Sequence, residues 1–351
     1  MKVLIIGNLG YVGPGVIKEF RKYYPKSELI GFDCGYFLLQ NTTSLVSPEI
    51  YLDRQIFGDV RRFDSSIVEG VDTVVYLAAI SNDPMGNKFE QQTLAINYES
   101  AIRIAKLAKS AGVRNFVFAS SCSVYGFASD KPRTEDSELN PLTAYAISKV
   151  NSEVDLASLA DSNFKITCLR FATACGMSDR LRLDLVVNDF VAGALVNKEI
   201  DILSDGTPWR PLINVLDMAR AIRWAHEREA SNGGNFLTVN TGSNEWNYQV
   251  KDIAFAVQEL LEGTEVSINN NASPDKRSYR VNFDLFKELA PDHQPVYDLK
   301  MTVHDLIEGL KSIDFKDEDF RNSKLMRLNI VNQLLENSII DSKLYINNSL
   351  K

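Results

Sequence analysis

The 351-residue chain has only four cysteines and three histidines, and neither type recurs at metal-ligand spacing. Cys34, Cys122, Cys168 and Cys175 show no paired ligand spacing, nor do His226, His293 and His304, so neither a metal site nor a disulfide framework is expected. The cysteines read as small buried thiols. An excess of basic residues is missing too. The net charge of −8 excludes a general affinity for nucleic acid or an anionic membrane, either of which needs clustered lysine and arginine. No apolar run approaches the roughly 18 residues of a membrane span. The first apolar stretch, residues 2–6, is too short for the core of a signal peptide. A soluble, cytoplasmic protein is the expectation, with any phosphate site built locally. Repeats and low-complexity tracts are lacking as well, so order is expected nearly throughout.

What the chain does have is alternation. Up to about residue 170, apolar runs at 2–6, 28–32, 73–77, 115–119 and 165–170 are separated by stretches with helical periodicity at 12–23, 91–111 and 145–160. A further strand is expected at 236–240. This is the pattern of an α/β fold, a Rossmann-like doubly wound parallel sheet with crossover helices. The rhythm breaks after residue 172. Residues 1–172 with about 206–243 are expected to form the nucleotide-binding domain, and about 173–205 with 244–315 a smaller, discontinuous substrate-binding domain. Residues 316–351 lack Gly and Pro and place Leu325, Leu328, Val331, Leu334 and Leu335 at helix-like spacing, which predicts a helical C-terminal appendage.

Three glycines follow the first strand in the run Gly7-Asn8-Leu9-Gly10-Tyr11-Val12-Gly13. The first permits a tight strand-to-helix turn, the second lets backbone approach a pyrophosphate, and the third lets helix pack closely on strand. Gly7, Leu9, Gly10, Tyr11, Val12 and Gly13 are therefore placed on the cofactor. Asp33 lies 26 residues after Gly7, at the end of the second strand, where a carboxylate accepts hydrogen bonds from ribose hydroxyls and repels a 2′-phosphate. NAD is expected rather than NADP. Pro14 suits the first turn of the following helix, where its missing N–H costs no bond.

The strand ending at Ala119 runs directly into Ser120-Ser121-Cys122-Ser123-Val124-Tyr125-Gly126. Hydroxyls at the carboxyl end of such a strand open into the ligand crevice. Further on, Tyr145 and Lys149 stand one helical turn apart. A phenol has an ordinary pKa of about 10 and is a poor base at neutral pH unless a fixed cation favours the phenolate. Lys149 supplies that cation. Ser121, Tyr145 and Lys149 are the expected catalytic set, with acid–base chemistry coupled to hydride transfer by the cofactor.

The glycine motif, Gly58-Asp59-Val60, Leu77-Ala78-Ala79, Asn97, the Ser-Val-Tyr-Gly segment and Tyr-x-x-x-Lys together resemble the extended short-chain dehydrogenase/reductases that act on nucleotide sugars, the group of the UDP-galactose 4-epimerases. The likeness covers roughly residues 1–315. It implies that Asp59 and Val60 contact adenine, that Leu77, Ala78 and Ala79 line the cofactor, and that Asn97 stabilises the site. It further implies a nucleotide-diphosphate sugar as substrate, a homodimer built on the helices at 91–111 and 145–160, and diphosphate contacts from Arg210 and Arg277. Arg182 and Asn188, in the run from Arg180 to Asp189, are candidate substrate residues. Thr173 stands where the family commonly has Asn, so that contact is in doubt.

Another departure narrows the chemistry. Relatives that eliminate water carry an Asp-Glu pair immediately after the serine, and decarboxylating relatives carry a Glu. Here those positions are Cys122 and Ser123, and neither works as such an acid or base at neutral pH. Two enzyme readings are left: C4 epimerisation through a 4-keto sugar, and net oxidation or ketoreduction at C4, as in a related subgroup of heptose-nucleotide 4-dehydrogenases. A non-catalytic NAD-binding regulator is the reading from another class, disfavoured by the presence of Ser121, Tyr145 and Lys149 together.

Overall fold

The computed structural model describes residues 1–39, 46–81, 83–128, 131–269, 271–272 and 278–347. Its strands are β1 (Lys2–Ile6), β2 (Glu28–Asp33), β3 (Arg54–Phe57), β4 (Thr73–Tyr76), β5 (Asn115–Ser121), β6 (Lys165–Phe171), β7 (Thr173–Cys175), β8 (Glu199–Ile202), β9 (Trp209–Asn214), β10 (Phe236–Thr241), β11 (Asn247–Gln249) and β12 (Glu265–Ile268). Seven of them form one sheet in the order β10-β6-β5-β4-β1-β2-β3, with every neighbouring pair parallel. Helices cover both faces, so β1 is a continuous apolar run with Val3, Leu4, Ile5 and Ile6 wholly buried. The strand order reverses between β1 and β4, and such a switch point opens a crevice at the strands' carboxyl ends.

Six of these seven strands lie where the apolar runs predict them. The exception is β3, an edge strand of sequence Arg-Gln-Ile-Phe, too short and too polar to stand out. The helix expected over 91–111 is broken. Glu90–Leu94 and Ser100–Ser110 are α-helical, and between them Ala95–Glu99 forms a single π-helical stretch. Such a stretch carries an extra residue per turn and is frequent near functional sites. Here it carries the buried Asn97, whose amide accepts from Ile80 N at 2.8 Å and donates to Ile80 O at 3.0 Å. One side chain thus fastens the loop that follows β4.

A second core lies beyond the sheet. The helices Val186–Val196, Val250–Leu260 and Leu299–Ser312 enclose Leu181, Val187, Val191, Ile253, Val303 and Leu306, all wholly buried. The short pairs β8·β12 and β7·β9·β11 flank it. Strand β9 and the helix Val215–Glu227 after it place Leu212 and Val215 in this core and Ile213 and Met218 in the sheet's core, so the two regions are sewn together.

The appendage is less helical than its periodicity predicts. Among its described residues only Arg327–Glu336 is an α-helix, with a single 3-10 turn at Phe320–Asn322 before it. Leu325 precedes the helix, and Ser338, with φ of 53°, turns the chain just after it. The remaining residues run back, bridged at Ile340 and Ile346.

Candidate functional site

A cavity of about 530 Å³ opens at the carboxyl ends of the strands, on the switch point. The glycine loop forms one wall, and each glycine has a separate reason. Gly7 has φ of +86°, and a Cβ there would lie 2.5 Å from Ala78 N. A Cβ on Gly13 would lie 2.0 Å from Asn8 O, so only glycine allows the helix Gly13–Tyr23 to start so close to the strand. At Gly10 the nearest atom to a Cβ is Gly7 O, 3.4 Å away, and the residue lines the cavity. Its bare face is a place for a ligand rather than for packing. Tyr11 and Val12 line the cavity beside it. The Tyr11 hydroxyl donates to Gly176 O at 2.5 Å, tying the loop to the second core.

Asp33 is held by the same loop. Its carboxylate accepts from Leu9 N at 3.0 Å and from Gly35 N at 2.8 Å. Burial pushes its pKa up, and these two N–H groups pull it back. Leu9 therefore reaches the site through its backbone, its side chain being wholly buried. Asp59, Val60, Leu77, Ala78 and Ala79 line the cavity. Asp59 is clamped by Arg61, whose Nε and Nη2 lie 2.9 Å and 2.5 Å from the carboxylate. Asn97 stands behind the lining, fastening Ile80 and reaching Ser148 Oγ at 3.2 Å.

Strand β5 delivers Ser121 at its last position, with Oγ accepting from Ser123 N at 3.2 Å to start a 3-10 turn, Cys122–Tyr125. Thr143 caps the helix Ala144–Ala157, so Tyr145 falls in its first turn and Lys149 one turn deeper. Ser121, Tyr145 and Lys149 all line the cavity. Lys149 is 2% exposed, donates to Ala119 O at 2.6 Å, and holds Nζ 5.5 Å from the centre of the Tyr145 ring. Burial pushes its pKa down to about 7, and the Glu153 carboxylate opposes that shift.

Behind this trio runs a buried polar network. Glu153 pairs with Arg170 at 2.7 Å and accepts from Ser120 Oγ at 2.5 Å. Arg170 also reaches the Tyr125 hydroxyl at 2.9 Å, which donates to Asn240 at 2.6 Å. The helix bearing Lys149 is thereby locked to β5, β6 and β10. Cys122 points away from the cavity, its Sγ 3.0 Å from Arg170 O, and burial holds its thiol far above the ordinary range. Ser123 is different. It lines the cavity, and its buried Oγ has no partner among the described residues. The sequence marked it only as a position lacking an acid.

Thr173, Arg182 and Arg210 line the cavity as well. Arg182 forms a fork on Asp184, at 2.6 Å and 2.9 Å, and reaches Ser81 Oγ at 2.9 Å. Asn188 stands outside the lining. It is wholly buried, accepts from Gly176 N at 2.9 Å and donates to Arg182 O at 2.9 Å, so its amide orders the wall instead of facing the cavity. Arg277 lies outside the described residues. Tyr36, Phe37, Arg327, Val331 and Leu344 also belong to the lining. None of them was singled out as a site residue, because lone aromatics and an arginine in a distant segment carry no motif.

A sequence profile described as the NAD dependent epimerase/dehydratase family matches residues 3–242. Among curated proteins, a Bacillus subtilis protein named as an uncharacterized UDP-glucose epimerase, YtcB, is 29% identical over 63% of this chain and 71% of its own length. The UDP-glucose 4-epimerase of Lactobacillus helveticus is 30% identical over 51% of this chain and 53% of its own. Among solved structures, an NAD-dependent NDP-hexosamine 5,6-dehydratase, TunA, superposes with a TM-score of 0.77 at 23% identity, covering 90% of this chain and 99% of that one. A UDP-glucuronic acid 4-epimerase from Bacillus cereus, solved with NAD and a fluorinated substrate analogue, gives 0.74 at 22% identity over 89% and 100%. Among the described residues no helix is long and apolar enough to cross a membrane, and no group of side chains is arranged to hold a metal.

Proposed function

The chain belongs to the NAD dependent epimerase/dehydratase family, and from that premise we propose that it epimerises a nucleotide-diphosphate sugar at C4 through a transient 4-keto sugar. The observation that carries this reading is the presence of Ser121, Tyr145 and Lys149 together in the lining of one cavity, with no carboxylate at positions 122 and 123. The glycine loop, Asp33 and the residues after β4 fit NAD, with the bare face of Gly10 turned to the cavity.

The nicotinamide, when bound, accepts a hydride and returns it. This chain's residues do the rest. Tyr145 takes the C4 hydroxyl proton at its phenolic oxygen and later gives it back. Lys149, as a cation, lowers the cost of the phenolate and holds the nicotinamide ribose. Ser121 hydrogen-bonds the C4 oxygen while it changes between hydroxyl and ketone. Arg182 and Arg210 face the substrate's diphosphate, where a planar fork suits phosphate oxygens. Cys122, a buried thiol, and Ser123, a neutral hydroxyl, supply at those two positions neither a base for the C5 proton nor an acid for a C6 leaving group, which favours epimerisation over elimination. The same reading includes a homodimer through the helix Ala144–Ala157, where Ile147 and Val154 are 40% and 65% exposed.

The test is to incubate the protein with a panel of UDP-, GDP-, CDP- and dTDP-sugars, reading product stereochemistry and absorbance of reduced cofactor. Epimer formation without accumulating NADH supports the proposal, whereas stoichiometric NADH selects net oxidation. Tyr145→Phe should lower turnover at least a hundredfold, within the usual range for a lost acid–base group, while NAD binding stays near the parent value. Unchanged turnover defeats the assignment.

A further inference from the structure

The segment after residue 326 forms a wall of the cofactor cavity. Val331, Ile340 and Leu344 pack with Ile80, Met85 and Phe89 into one apolar cluster, flanked by Tyr36 and Phe37. Polar contacts pin the same segment to residues that line the cavity. The Tyr36 hydroxyl donates to Leu344 O. Arg61, while clamping Asp59, donates to Lys343 O at 2.6 Å and Leu344 O at 2.7 Å and lies 3.6 Å above the Tyr345 ring. The half of the cavity that holds Asp33 and Asp59 is thus closed by chain far away in sequence.

One residue of this segment brings charge. Arg327 opens the helix Arg327–Glu336, is 3% exposed, and lines the cavity. Its guanidinium lies 4.2 Å above the Phe37 ring and donates to Arg180 O at 2.6 Å. Two more arginines stand near. Arg182 is paired with Asp184. Arg180 is wholly buried, reaches Glu49 at 3.1 Å, and has Nε and Nη1 without partners among the described residues. Burial first, and then the charge of Arg182, push the Arg327 pKa down to about 9, with Asp184 opposing. The Asp33 carboxylate, which also faces Arg327, is already engaged by two backbone N–H groups. Arg327 and Arg182 both line the cavity, with Arg180 buried behind Arg327, a setting for an anion.

We propose that Arg327 binds the diphosphate of the dinucleotide, and that residues 327–345 close over the cofactor and retain it between turnovers. The placement supports this. Arg327 lines the same cavity as Asp33, which suits the adenosine ribose, and as Tyr11 of the glycine loop, Arg182 and Asp184, with its guanidinium held on the Phe37 ring. A planar fork stacked on an aromatic ring is pre-organised for two phosphate oxygens. The inference rests on the NAD site described above. It also deepens the epimerase reading, since an enzyme that returns its hydride has no need to release the dinucleotide.

The experiment measures binding by full-length protein stripped of nucleotide, with NAD, ADP-ribose and adenosine as probes. For Arg327→Gln, NAD and ADP-ribose should bind roughly ten- to a hundredfold more weakly, the scale of a lost charge-assisted hydrogen-bonding pair, while adenosine, which lacks phosphate, binds as before. Dissociation of bound NAD should speed by a similar factor. A loss below tenfold for NAD, or an equal loss for adenosine, overturns the assignment. If the Gln variant does not fold, Arg327→Lys, which keeps the charge and loses the fork, is compared in the same way and should show a selective loss for the two phosphate-bearing probes. These readouts need no turnover, so they stand apart from the failure or success of the epimerase assay.

Discussion

Replacing Lys149 with methionine should change how the cofactor-free protein responds to pH. Burial lowers the lysine's pKa from 10.5 to about 7. At pH 7 the unfolded chain holds this proton fully and the folded chain about half of it, so the group disfavours folding by about 4 kcal/mol, at ~1.4 kcal/mol per pH unit. The sign follows from the direction of the shift. Between the folded and unfolded pKa values the unfolded state binds more protons, so stability rises with pH, and the penalty shrinks to about 2 kcal/mol by pH 9. The parent protein should therefore gain about 2 kcal/mol from this group between pH 7 and pH 9, and the Met variant should not.

Constant terms, such as the hydrogen bond to Ala119 O, cancel in that comparison. For 351 residues, an unfolding entropy of ~2.1 cal/mol/K per residue turns the difference into about 3 °C of melting temperature. The assay is thermal unfolding of nucleotide-free parent and variant at both pH values, with turnover lost in the variant. Parallel shifts of the two proteins from pH 7 to pH 9 would refute the reasoning. NAD should narrow the gap by holding the lysine in its charged form.

Two more outcomes follow from the packing around the site. Glu153→Gln leaves Arg170 buried without its carboxylate and should cost about 3–5 kcal/mol in a urea melt; a loss below 1 kcal/mol would mean that the Tyr125 hydroxyl and Glu135 O suffice to hold the arginine. Gly13→Ala places a Cβ 2.0 Å from Asn8 O, so the helix must move away from the strand. Its NAD affinity should fall at least tenfold, as read by calorimetry, and unchanged affinity would mean that the glycine loop tolerates the shift.

What was legible in the sequence were the parts that depend on neighbours along the chain. The strand β1, the Gly7–Gly13 turn and the Tyr145/Lys149 spacing are local patterns, and the structure places them as periodicity and spacing predict. Asn97 stood out only through the family resemblance, and the π-helical stretch that carries it was not legible, because an extra residue in one turn leaves the apolar spacing on either side intact. Asn188 lay in a polar run that suggested a pocket face, and instead its amide is consumed by backbone 6 and 12 residues away. Arg327 was hidden for the opposite reason. Its role depends on Phe37 and Arg180, 290 and 147 positions earlier, and no short-range pattern reports such a meeting.

That meeting has a consequence for how the molecule is assembled. The hydrogen bond from Tyr36 to Leu344 spans 308 residues, and the one from Arg61 to Lys343 spans 282. During synthesis the strands β1 to β6 emerge and can pair well before residues 327–345 leave the ribosome. Until that segment has emerged, the contacts from Tyr36 and Arg61 that close this side of the cavity cannot form, so the wall beside Asp59 is the last part of the site to be built.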